Sequence, residues 1–163
     1  MAQDHSFDVV SKINWQEVSN AVQAALKEIT NRFDFKHSRA EIIQEKDKLI
    51  LIADDDTKLR SLVDVLEQKM VKRRIPLKAV LYQKIEDGPN RTVKREVHFQ
   101  AGIPVEKARE IVKLIKQRKF KAQAAIQADQ VRVSSPKIDV LQEIIACLRT
   151  TDLGIHMEFA NYR

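Results

Sequence analysis

Cysteine is almost absent from this chain: among 163 residues there is only Cys147. No internal disulfide can form, which agrees with a reducing compartment. Cys147 lies beside the apolar positions of a helical pattern and reads as a small buried hydrophobe. Glycine is nearly as scarce. Gly88, Gly102 and Gly154 are the three in the chain, and no phosphate-cradling loop or dinucleotide fingerprint can be assembled from them. His5, His37, His98 and His156 are scattered, without metal-ligand spacing to one another or to Cys147. No Ser/His/Asp or Cys/His grouping carries a catalytic signature. No apolar run approaches the ~20 residues of a membrane span. The opening segment Met1–Ser6 is polar and lacks the apolar stretch of a secretory signal. These absences lead us to expect a cytoplasmic protein that is neither an enzyme nor a metalloprotein, needs no cofactor and does not enter a membrane.

What is present is a folded, highly charged composition, with 44% hydrophobic and 32% charged residues. The net charge of +6 is unevenly distributed along the chain. Residues 1–88 hold 15 Lys/Arg and 15 Asp/Glu, whereas residues 89–163 hold 14 and 8. The excess in the second half favours a phosphate-bearing partner there. A solvated face charged for solubility is the plainer reading.

The hydropathy pattern is written twice. Phe7, Val9 and Ile13 alternate with Asp8 and Lys12 as a half-buried strand. Val18, Ala21, Val22, Ala25, Leu26 and Ile29 then form one helical stripe. Two short strands, Ala40–Gln44 and Lys48–Ala53, flank the turn Glu45-Lys46-Asp47. Asp54-Asp55-Asp56 could form a metal site, but a helix cap explains it better. The helix that follows is lined by Leu59, Leu62, Val63, Leu66 and Met70, and Pro76 stops it. Ala79–Ile85 closes the first set as a strand. After Glu86-Asp87-Gly88-Pro89-Asn90, the strongest turn signal in the chain, the order restarts. A strand runs to Phe99, and a helix carries Val105, Ala108, Val112 and Ile115 inward. Two strands around Ala122–Ile126 and Val131–Val133 come next. A last helix directs Ile138, Leu141, Ile145 and Leu148 inward, and Ile155–Phe159 forms a final strand.

Twice βαββαβ is the ferredoxin-like pattern, an antiparallel sheet with both helices on one face. The expected fold is therefore α+β: two tandem ferredoxin-like, RNP-like sandwiches, with units at 1–88 and 89–163. One ambiguity follows from the Asp-Gly turn. Strands 79–85 and 91–99 can form a continuous hairpin. The units would then exchange strands, and the N-terminal strand would complete the second sheet.

Binders of this topology stack bases on aromatics of the two central strands. The matching strands here, Lys48–Ala53 and Gln130–Ser134, contain none. The expected open face of the second sheet offers Gln123, Gln127, Gln130 and Arg132, with Lys94 and His98 beside them. Such a surface suits phosphate and hydrogen-bond contacts rather than stacking.

Three constellations stand out. Arg32-Phe33-Asp34-Phe35-Lys36 follows the first helix and sets two of the chain's six phenylalanines among charges. A ring with Arg and Lys can stack a base and hold its phosphate, which makes Arg32, Phe33, Phe35 and Lys36 candidate nucleotide-binding residues. On the competing reading, Phe33 continues the helix stripe into the core. The second is the basic run Lys113–Lys121. Its Lys116, Arg118, Lys119 and Lys121, together with Arg132, are candidate phosphate or RNA contacts. The same run also serves as a cationic helix end that satisfies the dipole. The third is the terminus Phe159-Ala160-Asn161-Tyr162-Arg163, expected to be tied down rather than frayed.

These segments resemble a known family. Ser6-Phe7-Asp8-Val9-Val10-Ser11, Arg32-Phe33-Asp34-Phe35-Lys36, Lys121-Ala122-Gln123-Ala124, Ile126-Gln127, Val131-Arg132-Val133 and Asn161-Tyr162-Arg163 look, in that order, like the bacterial YajQ family. The resemblance implies two RNP-like domains and nucleotide binding, with cyclic di-GMP the signal proposed in some members and GTP or tRNA in others. It places the ligand-associated aromatic at Phe33. Two positions depart from the pattern. His37 stands where many members have Gly. Ser134-Ser135-Pro136-Lys137-Ile138-Asp139 lacks the cations many carry at that helix start, which removes phosphate contacts there. The resulting expectation is a nucleotide-binding effector of the cyclic di-GMP type whose ligand changes partner binding. The alternative is an RNA- or tRNA-binding module using the basic second unit.

Overall fold

A computed structural model describes residues 4–163, so the first three residues of the polar Met1–Ser6 segment lie outside the described residues. Among the described residues the fold is mixed α+β, with four α-helices and two antiparallel sheets. In chain order the elements are β1 (His5–Val10), α1 (Trp15–Asn31), β2 (Ala40–Gln44), β3 (Lys48–Ala53), α2 (Asp56–Lys72), β4 (Val80–Tyr82), β5 (Glu86–Asp87), β6 (Val93–Phe99), α3 (Val105–Gln117), β7 (Gln123–Gln127), β8 (Gln130–Ser135), α4 (Ile138–Thr150) and β9 (Glu158–Ala160). One sheet runs β7-β8-β1-β9. The other runs β2-β3-β6-β4, with β5 also paired to β6.

The chain divides into two units. Ile13–Phe99 forms one, and the residues up to Lys12 together with Gln100–Arg163 form the other. In the Ile13–Phe99 unit, the Asn14 side chain accepts a 3.2 Å bond from the Glu17 amide and caps α1. The Asp55 carboxylate does the same for α2 through the Lys58 amide at 2.8 Å. Asp55 is therefore a cap, as its spacing predicts. The apolar stripes of both helices meet Ile42, Leu49, Leu51, Val97 and Phe99 in one core. In the other unit, Ala108, Ile111 and Ile115 of α3 and Leu141, Ile144, Ile145 and Leu148 of α4 cover Phe7, Val9, Val131 and Val133. Each fully buried aliphatic side chain contributes ~1.5–3 kcal/mol. Val105 and Ile138, expected inward, are instead about half exposed. Each is the first residue of its helix, before the stripe has turned onto the core.

Gly88 is not a domain boundary. The Glu86–Asn90 turn is the tip of a hairpin: Glu86 pairs with Lys94 and Asp87 with Val93, and the Gly88 amide bonds the Thr92 carbonyl at 2.8 Å. β6 therefore stays with the first helices, pairing with β3 from Val93 to His98. β1 crosses to the later elements and pairs with β8 and β9. The pattern of strand alternation is the same for either partner, so only the pairing distinguishes the two arrangements.

Two expectations fall with that boundary. Lys94 and His98 lie in the β2-β3-β6-β4 sheet and not beside β7 and β8. The charge asymmetry also disappears, because β6 and its hairpin carry Arg91, Lys94 and Arg95 into the first unit. Ile13–Phe99 contains 17 Lys/Arg and 14 Asp/Glu, and the other unit contains 12 and 9. Each carries +3.

Candidate functional site: the aromatic–basic turn after the first helix

α1 stops where Arg32 turns to extended backbone (φ −86°, ψ 133°) while its amide still bonds the Ile29 carbonyl at 3.2 Å. The chain then makes a single 3-10 turn over Phe33–Phe35, closed by the Lys36 amide on the Phe33 carbonyl at 3.0 Å. The Ser38 amide bonds the Phe35 carbonyl, and His37 takes a left-handed φ of 63°. Glycine would adopt such a φ without strain, whereas histidine does so at a cost.

The turn sends its two rings in opposite directions. Phe35 is buried and joins the core. Phe33 is 86% exposed. The expected core role of Phe33 thus belongs to Phe35, and Phe35 offers no ring to a ligand. The faces of Phe35 are occupied by cations, with the Arg32 guanidinium 5.5 Å and the Lys58 ammonium 5.6 Å from its centroid.

An ion-pair chain braces the turn. Arg32 grips Asp34 with two bonds, Nε to Oδ1 at 2.9 Å and Nη2 to Oδ2 at 2.7 Å. Its Nη1 reaches Glu28 at 3.5 Å, and the other Glu28 oxygen takes Lys69 at 2.9 Å. The hydrogen bond from Arg32 holds Asp34 below the usual carboxylate range. Lys69 first, and Arg32 after it, do the same for Glu28. Lys58 donates to the Asp34 carbonyl from the first turn of α2. Sequence reasoning missed Lys58, although it left a signal: a cation at a helix N-terminus opposes the dipole, so it needs another reason to be there. The outcome is a rigid platform. Phe33 projects from it, Lys36 and His37 are exposed beside it, and Arg32 keeps its charge against the buried Phe35 ring.

The second candidate set lies in the other unit. Lys116, Arg118, Lys119 and Lys121 are all exposed around the end of α3, and among the described residues none pairs with a carboxylate. Arg132 departs from that set. It is spent on Asp8, with Nε 2.9 Å from Oδ1 and Nη2 3.4 Å from Oδ2. Asp8 is completely buried. Asn161 also bonds it at 2.7 Å, and Arg163 approaches to 3.9 Å. Burial alone would raise the Asp8 pKa, but Arg132, Asn161 and Arg163 together lower it. The C-terminus is tied down as expected, since Arg163 and Ser6 exchange backbone bonds at 3.0 and 3.2 Å. Tyr162 packs 6.4 Å from the Phe7 ring centroid.

Two antiparallel sheets, each backed by a helix pair, and a braced turn displaying one bare aromatic ring define an α/β sandwich protein with an exposed phenylalanine on its surface. The chain belongs to the family described as nucleotide-binding protein YajQ-like, whose model matches residues 5–163. It is 52% identical, over the full length of both chains, to a nucleotide-binding protein of Desulfitobacterium hafniense. It is 53% identical over 98% of each chain to one from Koribacter versatilis. A nucleotide-binding protein of Geotalea uraniireducens is 46% identical over 97% of this chain and 98% of its own. The family name denotes binding and no catalytic activity. No helix among the described residues is long and apolar enough to cross a membrane.

Proposed function

We propose that this protein is a non-enzymatic cytoplasmic nucleotide-binding effector whose ligand is a guanine cyclic dinucleotide of the cyclic di-GMP type. We read its two units as ferredoxin-like sandwiches, because β7-β8-β1-β9 and β2-β3-β6-β4 place equivalent strands in the same order. The carrying observation is the Phe33 ring, bare to solvent on a turn that Arg32, Asp34 and Lys58 hold rigid. A core-forming sequence has no packing reason to project a phenylalanine this far. A purine laid on that ring is worth ~1–3 kcal/mol. Lys36 is the cation free to meet a phosphate, and Arg32 supports the stack from the Asp34 side. Phe35 contributes from beneath by anchoring the turn. A bound nucleotide covers this surface and thereby alters how a protein partner reads it.

The exposed cations Lys116, Arg118, Lys119 and Lys121 support a second reading, an RNA- or tRNA-binding surface on the other unit. The equal charge of the two units favours the first. Calorimetric titration against cyclic di-GMP, GTP and a tRNA at several salt concentrations separates them. One dinucleotide gives a shallow salt dependence, and a polyanion gives a steep one that flattens when the four cations are replaced. Tight tRNA binding with no dinucleotide heat would sink the effector reading.

A further inference from the structure

Among the described residues β7 is the edge of its sheet and pairs only with β8. Exposed edges invite pairing, so folded proteins usually guard them with charge, bulges or brevity. The other edges of the two sheets are guarded in this way. β2 carries Glu41 in an ion pair with Arg39. β4 and β9 are three residues long, and β9 runs into the left-handed Asn161. β7 reads Gln123-Ala124-Ala125-Ile126-Gln127, without a charge, a proline or a bulge. Gln123, Ala125, Ile126 and Gln127 are exposed, Ile126 to 41%.

We infer that β7 is a homodimerisation edge, pairing antiparallel with β7 of a second copy about a two-fold axis through Ala125. The hairpin fixes which backbone groups are free. Gln127 and Gln130 close the two-residue turn Ala128-Asp129, so Gln127, Ala125 and Gln123 direct their amides and carbonyls at β8. Ala124 and Ile126 direct theirs outward. Centred on Ala125, Ala124 of one copy stands opposite Ile126 of the other, and each bonds its counterpart both ways. Gln123 faces Gln127 as a pair of amides. At the ends of the strand, Lys121 is brought opposite Asp129, and both are exposed. The segment is thus self-complementary in backbone parity, in side chains and in charge, as an isologous contact requires. On the helix side, Ile126 gains cover from Ala124 of the other copy. The result is one sheet continuous through both copies.

Sedimentation equilibrium over a concentration series tests the inference, with the expected mass rising from that of one chain toward that of two. Ala125→Lys sets like charges face to face on the axis and weakens association about tenfold or more. Ile126→Pro removes an outward amide while leaving the β8 ladder intact, and has the same effect. Near-native melting temperatures show that both variants are folded. Cross-linking tests the register. In a Cys147→Ala background, Ala125→Cys should form a disulfide-linked dimer on mild oxidation, because residues facing each other across a non-hydrogen-bonded site have Cα atoms about 4.5 Å apart. Gln123→Cys alone should not cross-link. A chain that stays monomeric throughout, or a dimer indifferent to both edge variants, overturns the inference.

Discussion

Phe33 and Phe35 stand two residues apart and face opposite ways, one ring 86% exposed and the other 5%. A single 3-10 turn separates them, and the same ion pair, Arg32 with Asp34, lies between. One ring closes the core and the other is displayed on it. The stability and ligand affinity of this region are therefore expected to reside in different side chains.

Phe35→Ala should be the destabilising change. It empties a core position and removes the ring on which Arg32 and Lys58 rest, at a cost of ~3–5 kcal/mol. Denaturant unfolding measures it directly. A loss below ~1 kcal/mol would mean that the turn is held by its ion pairs alone.

Much of this was legible in the sequence, though unevenly. The helical stripes and the Asp55 cap follow from local spacing, and the structure has them where the pattern puts them except at Val105 and Ile138, the exposed first residues of their helices. The partner of a strand is a non-local choice, and β1 reads identically beside β8 or beside β3. Hence the boundary at Gly88 and the charge asymmetry built on it both failed, although a strand exchange was foreseeable from the Asp-Gly hairpin. In the Arg32–Lys36 turn, composition marked a special segment. It could not tell which phenylalanine turns inward, because a three-residue 3-10 turn has no hydrophobic period to read. Asp8 looked like the solvated partner of an alternating strand, and only the returning C-terminus shows why it is buried.

Asp8 leads to a pH prediction. Its folded pKa is depressed despite burial, through Arg132, Asn161 and Arg163. It therefore stabilises the fold at pH values above the unfolded carboxylate pKa of about 3.9, and that contribution is lost as pH falls through the lower folded value. Asp8→Asn should flatten the acid limb of the stability curve below about pH 4 and leave the slope near neutrality unchanged. Urea unfolding as a function of pH is the check. Parallel acid limbs for wild type and variant would place the charge outside the linkage.

Arg132→Ala should destabilise and not merely weaken ligand binding. It leaves the buried Asp8 carboxylate with Asn161 and Arg163 alone, at about 1–3 kcal/mol. Removing Asn161–Arg163 should loosen the same unit by a similar route, measurable as increased amide exchange in β1. If β1 amides exchange as slowly in the truncated chain as in the full one, the tail does not hold that strand.

Gly102 has a φ of +90°, and a Cβ there would lie 2.6 Å from Asp129 Oδ2. Backbone strain and the clash act together, so Gly102→Ala should lower stability by more than ~1 kcal/mol. The Asp129 Cβ lies 2.7 Å from the same point, so only Asp129→Gly clears the space; that double variant keeps the strain and should recover only part of the loss. Full recovery in a double-mutant cycle would show that the conformation itself carries no cost.

Phe33 is the proposed stacking platform for the nucleotide base. Its most direct test is one calorimetric titration of cyclic di-GMP into wild type and Phe33→Ala, with the melting temperature of each measured on the same preparation. Loss of the stack should weaken binding about tenfold or more. The melting temperature should stay within a degree or two, because the ring makes no core contact to lose. Unchanged affinity in a variant with a native melting temperature would contradict the account and move the nucleotide site away from the turn.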